Sequence, residues 1–118
     1  MKAGMNENIF ELTLKNDFFR KVIATGPHSQ IVLMSIPVGA EIGEEVHKVD
    51  QTLIFVQGDG QAIINNNTSD VHAQSLVFVP AGTKHNFKNI GSQDLKLFTL
   101  YAPAQHPAGT VEKTKTKY

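Results

Sequence analysis

No cysteine occurs in the 118 residues, which excludes a disulfide framework, thiolate metal sites and a cysteine nucleophile, and suits a reducing compartment. Neither charge is in excess: eleven basic side chains stand against eleven acidic ones. Before the last residues no element carries the basic surplus that a nucleic-acid surface needs. No apolar run approaches the ~20 residues that cross a bilayer. The start Met1-Lys2-Ala3-Gly4 lacks the apolar stretch of a secretory signal. No internal repeat is visible, which argues against a solenoid or propeller. These absences imply a cytoplasmic protein whose partners are small molecules rather than nucleic acid or membrane.

What is present is a strand rhythm. Residues 9–14 alternate Phe10, Leu12 and Leu14 with Glu11 and Thr13, the pattern of a half-buried strand. Residues 18–24 follow and close at Gly26-Pro27; residues 31–36 form a β-branched run ended by Pro37 and Gly39. Residues 42–47 and 52–57 flank a short polar connection. Gly58-Asp59-Gly60 signals a hairpin, because glycine takes positive φ at little steric cost. Ala62-Ile63-Ile64 returns and Asn65-Asn66-Asn67 turns the chain again. Residues 71–73, 76–79, 85–90 and 95–102 complete about ten strands, with no amphipathic helix of three turns. That rhythm predicts an all-β sandwich or closed barrel. A chain of this length forms one domain and buries roughly two-thirds of its unfolded surface. After Pro103 an irregular tail is predicted, with Lys113, Lys115 and Lys117 against Glu112 serving solubility, or alternatively attracting phosphate.

Two segments carry the chemistry. Glu45 and His47 are two residues apart, so on one strand they share a face. Gln51 enters the next strand and can fold back beside them. His85 lies just beyond the turn Pro80-Ala81-Gly82. Two imidazoles, a carboxylate and an amide oxygen meeting at one point would coordinate Mn²⁺, Fe²⁺, Ni²⁺ or Zn²⁺. Asp50 is the rival to Gln51, but strict alternation groups Gln51 with Leu53 and Phe55 and Asp50 with Thr52 and Ile54. Glu41 and Glu44 read as strand-surface charges rather than a general base. Phe55, Phe78, Phe87 and Phe98 read as barrel core, and His28 and His72 as exposed turn residues. Tyr101 could reach the barrel mouth as a proton donor, and His106 could return to the site from the tail or from a partner subunit.

These motifs resemble those of the cupin family. Gly39 opens the first, Glu45 and His47 occupy its His-x-His places, Gln51 its Glu place, and Gly58 closes it; Pro80, Gly82, His85 and Asn89 match the second. Gln74 stands where a glycine usually precedes that proline. The stretch Tyr101, Pro103, His106, Pro107, Gly109, Thr110 and Val111 is similar to the C-terminus of a bacterial cupin subgroup. The resemblance implies a single jelly-roll-like double-stranded β-helix barrel over residues 30–102, with N-terminal strands over residues 1–29 packing on it and an irregular tail over 103–118. It implies one divalent metal ion at Glu45, His47, Gln51 and His85, with two ligand positions changed from the family pattern, and a homodimer formed through barrel edges. The function implied is that of a metal-dependent isomerase or epimerase acting on a sugar-like or carbonyl molecule. The alternatives are a non-catalytic sugar-, metabolite- or metal-binding module and an Fe²⁺-dependent dioxygenase.

Overall fold

The computed structural model describes residues 4–115; residues 1–3 and 116–118, on which parts of the N-terminal and lysine-tail readings fall, lie outside them. Among the described residues nine strands form: β1 (Arg20–Thr25), β2 (Gln30–Ile36), β3 (Asp50–Gln57), β4 (Asp59–Ile64), β5 (Asn67–His72), β6 (Leu76–Val79), β7 (His85–Asn89), β8 (Leu95–Ala102) and β9 (Val111–Glu112). They pair antiparallel in two sheets, of order β6-β3-β8-β2-β1-β9 and β5-β4-β7. This is an all-β barrel of two packed antiparallel sheets, and no helix among the described residues is long and apolar enough to cross a membrane.

Register decides what the interior holds. Directly opposed residues share a face, so β2, β8 and β3 lay three rows inside the barrel. Met34, Leu97 and Phe55 form the first, Val32, Thr99 and Leu53 the second, and Gln30, Tyr101 and Gln51 the third. None of these exceeds 3% exposure. The opposite sheet adds Ala62, Val71 and Phe87, whose ring lies 5.7 Å from that of Phe55. One end of the interior is therefore apolar core and the other is polar. Asn89 ties the layers together: its amide donates to Ile36 O and Gln93 O, both at 2.9 Å, and its Oδ1 accepts from Gly91 N.

Several local expectations are corrected. Residues 9–14 are not a strand but most of α1 (Ile9–Lys15). Asn8 caps it by accepting from Glu11 N at 3.0 Å, and Lys15 pairs with Glu11 one turn earlier. Ile9, Leu12 and Thr13 satisfy helical spacing as well as alternation satisfies a strand. The helix lies on the outer face of the large sheet, where Phe10 meets Phe98 edge-on at 6.0 Å. Lys96 binds its C-terminal end through Leu14 O at 2.8 Å and Asp17 at 3.1 Å.

Gly58-Asp59-Gly60 is not a hairpin but the corner where the chain changes sheets, since β3 and β4 pair with different neighbours. Gly58 takes φ +97° there, with Asp94 O only 2.9 Å from where a Cβ would sit. The hairpin is β4–β5, whose two-residue turn holds Asn65 at φ 48° and Asn66 at φ 68°, a pair of left-handed residues suited to strand twist. Gln74 also adopts positive φ, 78°, so it keeps the backbone conformation of the glycine it replaces. Phe78 is exposed at 53% rather than core, while Phe55, Phe87 and Phe98 are buried. The tail is not wholly irregular: β9 pairs with β1, and Lys113 O and Thr110 O accept from Phe19 N and Val22 N.

Gly60 tests this packing. A Cβ there would lie 2.6 Å from Lys88 O and 2.7 Å from a Leu95 methyl. Gly60→Ala should lower the urea midpoint by the equivalent of about 1–3 kcal/mol; an unchanged midpoint would contradict the close approach of the two sheets.

Candidate functional site

The polar end of the interior is built by a loop rather than by a regular strand. Residues 42–47, read as a strand, instead follow the free edge of β7 through isolated bridges, Glu41 opposite Lys88 and Glu45 opposite His85. Between the two bridges five residues on the loop side face four on β7, and Gly43 absorbs the excess at φ +105°. Asn86 holds the bend, accepting from Gly43 N at 2.9 Å and donating to Glu41 at 3.1 Å. Glu45 N donates to His85 O at 2.8 Å and His85 N to Glu45 O at 2.9 Å; Gly82 N donates to His47 O at 2.7 Å.

This pairing brings ligand atoms of Glu45, His47 and His85 within 4.8 Å of one another. The His47 and His85 rings are 5.0 Å apart, and Tyr101 stands edge-on to His47 at 5.7 Å. His85 Nδ1 lies 2.8 Å from Thr83 O. A carbonyl only accepts, so Nδ1 carries the proton and Nε2 of the neutral ring keeps its lone pair. Burial pushes the His85 pKa down, helped by His47 and opposed by the Thr83 carbonyl and Glu45. Burial would raise the Glu45 carboxyl, but His47 at 3.7 Å, with Arg20 and His85, outweighs it and holds the group below the usual carboxylate value. Glu45 therefore stands as an anion beside a histidine with a free nitrogen, a donor set that could hold a divalent metal ion.

Gln51 faces inward at 3% exposure, and its Nε2 donates to Thr99 and Tyr101 hydroxyls, both at 3.1 Å. Asp50 points outward and its carboxylate accepts from Ala81 N at 2.9 Å, so it serves the Pro80–Gly82 turn. Tyr101 is buried in the row beside Gln51, and burial raises its pKa, so the phenol keeps its proton. His106 comes back from the tail of the same chain to stand edge-on to Tyr101 at 5.2 Å. Burial, with Arg20 and His47, pushes its pKa down to about 4, leaving a neutral imidazole. Glu41 and Glu44 remain near the surface, where they pair with Lys88 and Lys84.

Buried polar atoms normally find hydrogen-bond partners. Among the described residues four side-chain atoms do not: His47 Nε2, Gln51 Oε1, His106 Nε2 and Arg20 Nε. Gln51 lies in the polar row and Tyr101 meets both His47 and His106, whereas Arg20 starts opposite Met34 in the apolar row and acts on Glu45, Tyr101 and His106 through its charge. An imidazole nitrogen and an amide oxygen without partners beside Glu45 and His85 suit a metal ion. Arg20 is a member of this unsatisfied group that sequence reasoning missed. The signal was there, since it is the one arginine among eleven basic residues.

Comparison with known proteins agrees with this geometry. The family model described as "Cupin domain" matches residues 32–101. The chain is 44% identical over 115 residues to YrkC of Bacillus subtilis strain 168, covering 92% of this chain but 62% of YrkC, less than two-thirds of that relative's length. It is 39% identical over 110 residues to protein L612 of Acanthamoeba polyphaga mimivirus, covering 89% of this chain and 69% of that one. The crystal structure of BH2720 from Bacillus halodurans superposes with a TM-score of 0.93 at 41% identity, over 94% of this chain and 89% of that one. KdgF from Halomonas sp. shares the fold, with a TM-score of 0.69 at 22% identity over 73% and 78% of the two chains.

Metal content separates ligands from neighbours. Protein purified without a histidine tag should carry about one metal ion per chain, lost in both His47→Ala and His85→Ala and retained in Asp50→Ala. Elemental analysis showing Asp50→Ala as depleted as the histidine variants would contradict the assignment of Asp50 to the turn.

Proposed function

This chain belongs to the cupin family, and on that premise we propose that it is a divalent-metal-dependent enzyme of the isomerase or epimerase type, acting on a small sugar-like or carbonyl molecule. The observation that carries this reading is the Glu45, His47 and His85 cluster, beside which His47 Nε2 and Gln51 Oε1 are buried without hydrogen-bond partners. Among the described residues the other buried side-chain polar atoms, those of Arg20 and His106 apart, find partners, which supports a ligand site here. Glu45, His47, Gln51 and His85 hold the ion. When bound, it supplies Lewis-acid polarisation of a carbonyl or hydroxyl oxygen.

The chain's own residues supply the rest. The Leu53 and Phe55 rows beneath the site exclude water. Tyr101 remains a phenol whose hydroxyl accepts from Gln51 Nε2 and keeps its own proton to donate to a ligand. His106 is a neutral imidazole whose Nε2 can take up or release a proton, whereas Glu45 serves poorly as a base while it is a ligand. In D₂O, a metal-loaded sample should exchange solvent deuterium into the carbon next to a substrate carbonyl. His106→Ala should slow that exchange about 10²–10⁴-fold. Stoichiometric metal with no exchange into any sugar or keto acid tried would favour a binding module instead. The two-histidine, one-carboxylate set also fits an Fe²⁺ site that uses oxygen. Oxygen uptake by iron-loaded protein, in the absence of deuterium exchange, would replace the isomerase reading with that one.

The homodimer is proposed on the outer face of the large sheet. There Leu76, Phe78 and Leu100 are exposed at 63%, 53% and 36%, and Phe78 and Leu100 both lie opposite Thr52, so they share one surface. Such a patch marks an association face. Light scattering should give a dimer mass for the native chain and a monomer for Phe78→Asp. A native monomer at micromolar concentration would overturn this.

A further inference from the structure

Arg20 is the one arginine of the chain, and its side chain is 11% exposed. It stands opposite Met34 on β2, a core residue, so the strand directs it into the barrel. A guanidinium taken out of water costs several kcal/mol unless it is paired. Its partner comes from the tail: Glu112 on β9 lies directly opposite and takes Nη1. That pair leaves the Nε side of the fork without a partner, fully buried. His106 presents a second unpaired nitrogen, Nε2, near enough for the Arg20 charge to act on its ring. Its position is fixed by Gln30, whose Oε1 accepts from Gln105 N at 3.2 Å and His106 N at 3.0 Å and whose Nε2 donates to His106 O at 2.7 Å. The charge on Arg20 is felt at Glu45, Tyr101 and His106 alike.

A metal ion cannot satisfy Arg20, because a guanidinium only donates and repels cations. What its Nε lacks is an acceptor, and the neutral His106 ring offers a second N–H to that acceptor when Nε2 carries the proton. We propose that Arg20 and His106 form the recognition point for the carboxylate of a small organic acid bound inside the barrel, next to the Glu45–His47–His85 cluster. A planar carboxylate matches the edge of a guanidinium with two parallel hydrogen bonds. Glu112 already offsets Arg20 and Glu45 adds a further negative charge, so a carboxylate monoanion meets less repulsion there than a phosphate dianion. The inference rests on the interior being a ligand site, as proposed above, but does not require that the metal be present. It narrows the substrate from carbonyl or sugar-like molecules to acids.

A single arginine makes the test direct, because the ¹H–¹⁵N spectrum contains one arginine Nε–Hε resonance. Protein as purified, with metal content measured on the same sample, is titrated with glycolate, lactate, pyruvate and acetoacetate, with pyruvamide as the uncharged match and with inorganic phosphate. At least one acid should shift the resonance saturably and pyruvamide should not. Calorimetry should then show that acid binding about tenfold more weakly to Arg20→Lys and to His106→Ala. No shift with any of the acids, an equal shift with pyruvamide, or tighter binding of phosphate than of the acids would overturn the proposal. Acid binding by a metal-free sample that takes up no added zinc would leave it standing while removing the metal reading. Bound metal with an unmoved resonance would do the reverse.

Discussion

Two backbone hydrogen bonds exchanged between Glu45 and His85, at 2.8 and 2.9 Å, hold the polar end of this barrel together. They make the two residues a directly opposed pair, so their side chains emerge on one face. His47, two residues further along, is held by Gly82 N on its carbonyl, and the motif's two turns are thereby joined to one another. The loop between Pro37 and Val49 has no strand of its own. It gains its conformation by pairing with the edge of β7, with Gly43 taking up the one-residue mismatch.

The two ends of the interior follow opposite rules. Below, apolar rows centred on Leu97 and Thr99 bury side chains at near-zero exposure and stabilise the fold by excluding water. Above, the row of Gln30, Tyr101 and Gln51 buries polar groups, and each one left without a partner costs about 1–3 kcal/mol. Gln30 satisfies its amide on the tail backbone and the Thr25 hydroxyl, while Gln51 satisfies its nitrogen and not its oxygen. That contrast between neighbours in one row is the mark of a site rather than of a polar core. The tail completes the arrangement, because β9 brings Glu112 to Arg20 and Gln30 brings His106 to Tyr101.

Much of this was legible in the residues. The run from Leu95 to Ala102 reads as a strand and is one, and alternation along β3 correctly turns Gln51 inward and Asp50 outward. Motif spacing groups Glu45, His47 and His85, and the fold brings those three side chains together through turns at Gly39 and Gly82. What was not legible depended on contacts distant in sequence. A seven-residue segment such as 9–15 fits both periods, and only the Asn8 cap and the Phe98 surface decide for helix. Gly58 looks like a hairpin turn because glycine signals positive φ without saying which strand comes next. Phe78 is exposed because β6 turns it to the outer face, a matter of register that composition does not reveal. Arg20 and Glu112 are 92 residues apart, and nothing local to either suggests the other.

The central claim is that Glu45, His47, Gln51 and His85 converge on one divalent cation, with the changed residues Glu45 and Gln51 contributing oxygen where the family pattern has a histidine and a glutamate. Anomalous diffraction from crystals grown with manganese tests it most directly. The account predicts one strong peak inside the barrel, within coordination distance of the Glu45 carboxylate, the Nε2 atoms of His47 and His85, and the Gln51 Oε1. A barrel interior without an anomalous peak, or a peak bound by surface carboxylates such as Glu41 and Glu44 instead, would contradict it.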